Sequence, residues 1–123
     1  GHNAYLKNFG CIHNRAVSID KIKNKIVGQD KIMRKSINSR IKYDVRFHLY
    51  PGVTAVQTLG GSNLLIQINK NKALLFSTNH KDLKIEKSIF FGGKKVLDNY
   101  CIVISGVMEN NEKTIDWEII KKL

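Results

Sequence analysis

Val45-Arg46-Phe47-His48-Leu49-Tyr50-Pro51-Gly52-Val53 is the stretch that decides the fold. At a period of two residues, Val45, Phe47 and Leu49 point to one face of an extended chain and Arg46, His48 and Tyr50 to the other. The first row is apolar and reads as core. The second sets a cation, an imidazole and a phenol in line, an unusual outward row for a plain strand. Pro51, the only proline in the chain, lacks a ladder donor and fixes its own φ, so the strand is predicted to stop at Tyr50. Gly52 then permits a turn into a second extended run, Val53 to Thr58.

Working outward, residues 1–11 read as an irregular segment that feeds a strand. From Ile12 to Asp20, His13, Arg15, Val17 and Ile19 alternate with Ile12, Asn14, Ala16 and Ser18. A lysine-rich turn at Lys21 to Lys25 leads into Ile26 to Ile32, which predicts a hairpin. Residues 33–44 are basic without a clean period and read as a loop. Gly60-Gly61-Ser62 marks a turn before a second hairpin, Leu64 to Asn69 and Ala73 to Thr78. Leu83 to Glu86, Ser88 to Phe91 and the β-branched run Cys101 to Val107 follow as strands. In the last strand, Thr114 to Ile120, the residues Ile115, Trp117 and Ile119 face inward. About ten short strands with turn signals between them predict an all-β fold, an antiparallel β-sandwich or stacked sheets. No helix longer than a turn or two is expected, and no internal repeat occurs.

The 123 residues make one domain, 1–123, large enough for a single core. No stretch approaches the roughly 20 apolar residues that a membrane-spanning helix needs. Because the chain opens at Gly1 rather than Met, an upstream portion is expected, and export stays open. The formal charge of +11 favours a polyanionic partner: nucleic acid, acidic polysaccharide or anionic membrane. A lysine-, isoleucine- and asparagine-rich composition is the plainer account of that charge, since 17 lysines stand against 4 arginines and no block of like charge occurs. Cys11 and Cys101 have no CxxC or zinc-ribbon spacing and read as two buried thiols, with a disulfide left open.

No P-loop, GxGxxG, HExxH or GxSxG motif is present. His2, His13, His48 and His80 lack the close spacing of a structural zinc site, and His80 falls in a turn. What remains is cationic: His13 and Arg15 on one strand face, Arg46, His48 and Tyr50 on another. Were those strands neighbours, they would line a groove for carboxylates or sulfates, with arginine as the bidentate partner. The alternative is that Arg15 and Arg46 merely pair with Asp30, Asp44 or Glu86 on a solvated sheet.

In order, the chain carries His2-Asn3-Ala4-Tyr5, Phe9-Gly10-Cys11-Ile12-His13-Asn14-Arg15, Gly28-Gln29-Asp30, Arg46-Phe47-His48-Leu49-Tyr50-Pro51-Gly52-Val53, Ser88-Ile89-Phe90-Phe91-Gly92 and Trp117. These segments resemble the heparinase II/III-like proteins, in the C-terminal part of their β-domain and in a bacterial branch. His2-Asn3-Ala4-Tyr5 departs from that pattern, which reads HDGY. The resemblance implies a polysaccharide lyase that cuts heparin- or heparan-like uronic-acid glycans by β-elimination. A base takes the C5 proton, the carboxylate is neutralised, and an acid protonates the leaving oxygen.

It further implies an N-terminal α/α-toroid of the same protein that supplies a catalytic tyrosine and a histidine or asparagine, with a further catalytic histidine from the early part of the β-domain. All are expected upstream of Gly1, so this chain is expected to be a fragment without catalytic residues of its own. His2, Tyr5, His13, Arg15, Arg46 and His48 are the expected substrate-binding residues. A structural zinc occurs in some members of that family, but no ligand is assignable here. The resemblance also favours a periplasmic or cell-envelope location. The competing expectation is a stand-alone basic β-module that binds an acidic polymer without catalysis. Nucleic acid is disfavoured, because Trp117 and most phenylalanines fall on core rows rather than on a stacking face.

Overall fold

Period-two alternation builds nine strands among the described residues: β1 (Cys11–Asp20), β2 (Lys25–Arg34), β3 (Ile41–His48), β4 (Thr54–Gln57), β5 (Asn63–Asn69), β6 (Lys72–Thr78), β7 (Leu83–Gly92), β8 (Lys95–Met108) and β9 (Glu112–Lys121). The structure, a computed structural model, describes residues 11–34, 41–58 and 63–122. Pairing is antiparallel throughout. One sheet has six strands in the order β1-β2-β9-β6-β5-β4, and the other three in the order β3-β8-β7. The expected all-β, sandwich-like architecture is what the chain adopts.

Turn chemistry follows the local sequence. Between β1 and β2, the Asp20 carboxylate accepts the amides of Ile22 and Lys23, each at 3.1 Å. At the proline, the Val53 amide donates to the Tyr50 carbonyl at 3.1 Å. Gly52 has φ +91°. Proline at the second position and a left-handed glycine at the third are the demands of a type II turn. Regular strand ends at His48, two residues before the predicted stop. Pairing still continues one step, since the Leu49 amide donates to the Tyr100 carbonyl at 3.1 Å.

Two expectations about strand extent need correction. Residues 33–44 are not simply a loop: β2 reaches Arg34 and β3 begins at Ile41. The exposed Lys42 and half-buried Asp44 masked an inward row in which Tyr43 and Val45 are buried. Likewise, Leu83 to Gly92 is one continuous strand, and β8 starts at Lys95 rather than at Cys101. The first half of β8 mixes polar and apolar residues and lies outside the core. Its second half is the centre of the three-stranded sheet, and Cys101, Ile102, Val103 and Ile104 are buried on both faces. Cys101 is a free buried thiol.

The core lies between the sheets. It unites Ile32, Leu64, Ile66, Phe76, Ile115 and Trp117 of the larger sheet with Tyr43, Val45, Leu83, Ile102, Ile104 and Met108 of the smaller. Phe47, inward as the alternation demands, crosses from β3 to meet Trp117 and Phe76 edge-on, with ring centroids 5.1 and 5.2 Å away. Edge-to-face geometry at that spacing is favourable beyond the area it buries. On the other flank, the Gln57 side-chain amide donates to the Leu83 carbonyl at 2.7 Å, tying the β4 edge to the β7 edge.

Candidate functional site

The segments singled out in the sequence converge on a buried carboxylate. Asp30 is 0 % exposed, Arg15 5 % and His13 9 % by side chain. The β1–β2 register sets Arg15 opposite Asp30. Asp30 Oδ1 accepts from Arg15 Nε at 2.7 Å and from His13 Nε2 at 3.1 Å. Its Oδ2 accepts from Arg15 Nη2 at 3.1 Å and from the Trp117 indole Nε1 at 3.1 Å. Burial pushes the Asp30 carboxyl upward. The hydrogen bonds from His13 and Arg15 and their charges outweigh it, and hold the group below its ordinary 3.8.

Aromatic surfaces complete the enclosure. The Arg15 guanidinium stands 4.2 Å over the Phe47 ring centroid and 5.7 Å from that of Trp117. Gly28 lies directly across from Trp117 on β9. A side chain at Gly28 would overlap the indole ring, so the Gly28-Gln29-Asp30 segment needs its glycine to admit the tryptophan that Asp30 then hydrogen-bonds.

This arrangement corrects the expected cationic groove. β1 pairs only with β2 among the described strands, and β3 pairs with β8 in the other sheet. His13 and Arg15 face the core side of β3, where Phe47 meets them. Arg46 stands on the opposite side, so the structure brings His13 to Arg15 but neither to Arg46. His2 and Tyr5 lie outside the described residues.

Arg46 has its own partners. Its Nη1 reaches Glu86 Oε1 at 2.5 Å and its Nη2 reaches Asp44 Oδ2 at 3.5 Å. Asp44 in turn accepts from the Ser105 hydroxyl at 2.6 Å. The pairings Arg15–Asp30 and Arg46 with Glu86 and Asp44 are therefore the ion-pair alternative in both places, except that the first is buried in the core rather than on a solvated sheet. His48 is exposed beside Arg46, across from Cys101, whose other neighbour is Glu86. Burial pushes the Cys101 thiol up, against the opposing pull of Arg46. That makes it a poor nucleophile.

Sequence reasoning missed one polar pair altogether. His80, set aside as a turn residue, accepts the Asp82 amide at Nδ1 (3.2 Å), and its Nε2 lies 2.8 Å from Tyr43 Oη. The ring proton therefore sits on Nε2 and is donated to the phenol. Tyr43 is 2 % exposed and lies over Gly106, its cross-strand partner. Burial, with Asp82 adding to it, pushes the phenol up to about 12, which unsuits it as an acid at neutral pH. Alternation of Tyr43 with Val45 was the signal that could have found it.

Burial, helped by Lys113, lowers the His80 pKa from 6.5. A base whose folded pKa is depressed stabilises the fold fully above 6.5, and that contribution is lost as pH falls through the folded value. Urea unfolding is expected to show stability declining from pH 7 towards pH 5, with a shallower decline in His80→Gln. Equal slopes in the two proteins would refute this.

A surface depression of about 270 Å³ on the six-stranded sheet is lined in part by Asp116 and Glu118, the wrong sign for an anionic ligand. Among the described residues no group of three His, Cys, Asp or Glu side chains could hold a metal ion. The zinc of the resemblance thus has no fitting donor set among the described residues. No helix among the described residues is long and apolar enough to cross a membrane. The family model described as "Heparinase II/III-like, C-terminal" matches residues 1–118. No curated protein matches the sequence.

Proposed function

The chain belongs to the heparinase II/III-like C-terminal family, and from that premise we propose that it is the β-domain of a lyase acting on uronic-acid glycans by β-elimination. The observation that carries a binding role is the outward face of the three-stranded sheet. There Arg46 and Lys84 flank Val103 from the two neighbouring strands, with His48 one row further along β3. His48 and Lys84 are exposed, and Glu86 and Asp44 hold Arg46 in place between them. A carboxylated or sulfated chain laid across this face meets Lys84 and His48 at fixed spacing, with Arg46 held by its two carboxylate partners as the support between them. His13 and Arg15 serve the same function indirectly, by anchoring β1 to Asp30 behind Phe47.

The base and acid of the reaction are assigned to an N-terminal toroid of the same protein. Support comes from the chemistry the described residues offer: in the hydrogen-bonded tyrosine–histidine pair Tyr43 is buried and His80 half-buried, and the phenol resists ionisation. Purified alone, the chain is expected to release no unsaturated uronate from heparin or heparan sulfate, and reproducible turnover would overturn the assignment. On a heparin column, Arg46→Gln with His48→Gln and Lys84→Gln is expected to elute at lower salt. Each exposed contact contributes on the order of 1 kcal/mol or less. Unchanged elution would mean that diffuse lysine charge does the binding. A stand-alone module that binds acidic polymer without catalysis uses the same face. Cleavage of an acidic glycan by the full-length gene product decides between the two.

A further inference from the structure

Ile85 and Ile102, a cross-strand pair at the core's margin, are where the covered part of the three-stranded sheet ends. Past Lys87 and Tyr100, where the Leu49 amide makes the last β3 contact, β7 and β8 continue as a two-stranded ribbon to the turn at Gly93 and Lys94, roughly 17 Å by strand rise. The face that prolongs the core row pairs Lys87 with Tyr100, Ile89 with Asp98 and Phe91 with Val96. Among the described residues no strand of the six-stranded sheet covers its outer part. Ile89, Phe91 and Val96 are 58, 75 and 62 % exposed. Tyr50, 81 % exposed, belongs to the turn fastened to this ribbon, where the Gly52 amide donates to the Asp98 carbonyl at 3.0 Å.

Charge gathers at the ribbon's tip: Lys94 is exposed in the turn, and Lys95, across from Gly92, is exposed on the opposite face beside it. Asp98, the one acid on the ribbon beyond Glu86, has Lys87 Nζ 3.4 Å from its carboxylate. Apolar and aromatic side chains bordered by unpaired lysines, on a chain of net charge +11, match the two layers of an anionic bilayer surface. A purely apolar protein groove would leave those lysines without counter-charge. We propose that the ribbon docks on an anionic lipid surface. It approaches tip first, with Phe91 and Val96 nearest the acyl boundary, Ile89 behind them, and Lys94 and Lys95 at the tip among the headgroups, their stems along the apolar layer. The glycan reading does not enter, because Arg46, His48 and Lys84 stand on the other face of the sheet.

Co-sedimentation of the purified chain with vesicles tests the proposal. The chain is expected to bind mixed phosphatidylglycerol–phosphatidylcholine vesicles and not phosphatidylcholine alone. Ile89→Ser with Phe91→Ser, and separately Lys94→Gln with Lys95→Gln, should each weaken the binding by about tenfold. All four side chains are solvent-facing, so circular dichroism and the unfolding midpoint should not change. A Phe91→Trp variant, with Trp117 as a buried and constant background, should shift its emission to the blue on anionic vesicles. Three results would overturn the proposal: no binding at low salt, binding unaffected by the serine pair, or a wild-type dimer that the serine pair abolishes. The second would assign adsorption to diffuse charge, and the third would show that a second copy covers the ribbon.

Discussion

Asp30→Ala is expected to lower the unfolding free energy by about 3–5 kcal/mol, because it leaves the Arg15 guanidinium buried without its counter-charge. A domain of this size has on the order of 5–15 kcal/mol in total, so much of the chain should be unfolded in mild urea. Arg15→Ala should cost a similar amount by stranding the carboxylate. The informative variant removes both charges. Arg15→Met with Asp30→Leu should be less harmful than either single alanine, since two desolvation penalties vanish together. Denaturant titration of the four proteins gives the coupling directly. Singles within about 0.5 kcal/mol of wild type would mean that the pair behaves as an exposed one.

Acid should act through the same carboxylate. The folded pKa of Asp30 is depressed below 3.8, so its contribution is complete above that value and is lost as pH falls through the folded pKa. In Asp30→Asn the decline in stability below pH 4 should be shallower than in wild type. This window lies below the one set by His80, so the two slopes can be separated.

Gly28→Ala is expected to be nearly as damaging, at about 3 kcal/mol, although it adds a single methyl group. The new carbon would overlap the Trp117 indole, and β9 or the indole must shift to admit it. Any shift also loosens the Trp117 Nε1 bond to Asp30. Trp117→Leu alone should cost about 3–5 kcal/mol through the lost volume and the loss of one of the two hydrogen bonds to Asp30 Oδ2. In the Trp117→Leu background, Gly28→Ala should then cost under about 1 kcal/mol, because the obstacle is gone. Additive losses in the double variant would show that Gly28 matters for some other reason, such as chain entropy.

The candidate site was half legible. That Arg46 and His48 oppose Val45, Phe47 and Leu49 follows from a period of two and holds in the structure. That Arg15 points inward did not follow, because alternation names two faces without saying which one meets the core. In β1 the polar and apolar residues are mixed on both rows: Val17 and Ile19 share the inward row with Arg15, yet both are exposed. Tyr43 shares the inward row of β3 with Val45 and Phe47, and Lys42 and Asp44 lie on the outward row, so the strand starts earlier than the basic stretch suggested.

Local sequence was sufficient for the strands, the turn at Pro51 and Gly52, the all-β class and the core rows around Phe47 and Trp117. Each of these depends on residues within a few positions of one another, where sterics and side-chain alternation act directly. The partners were set by tertiary structure alone. Trp117 reaches Asp30 across 87 positions, Arg46 reaches Glu86 across 40 and Tyr43 reaches His80 across 37. Which sheet a strand joins, and therefore whether an arginine meets solvent or a buried carboxylate, depends on pairing between distant segments. That pairing is chosen by burial of the whole core.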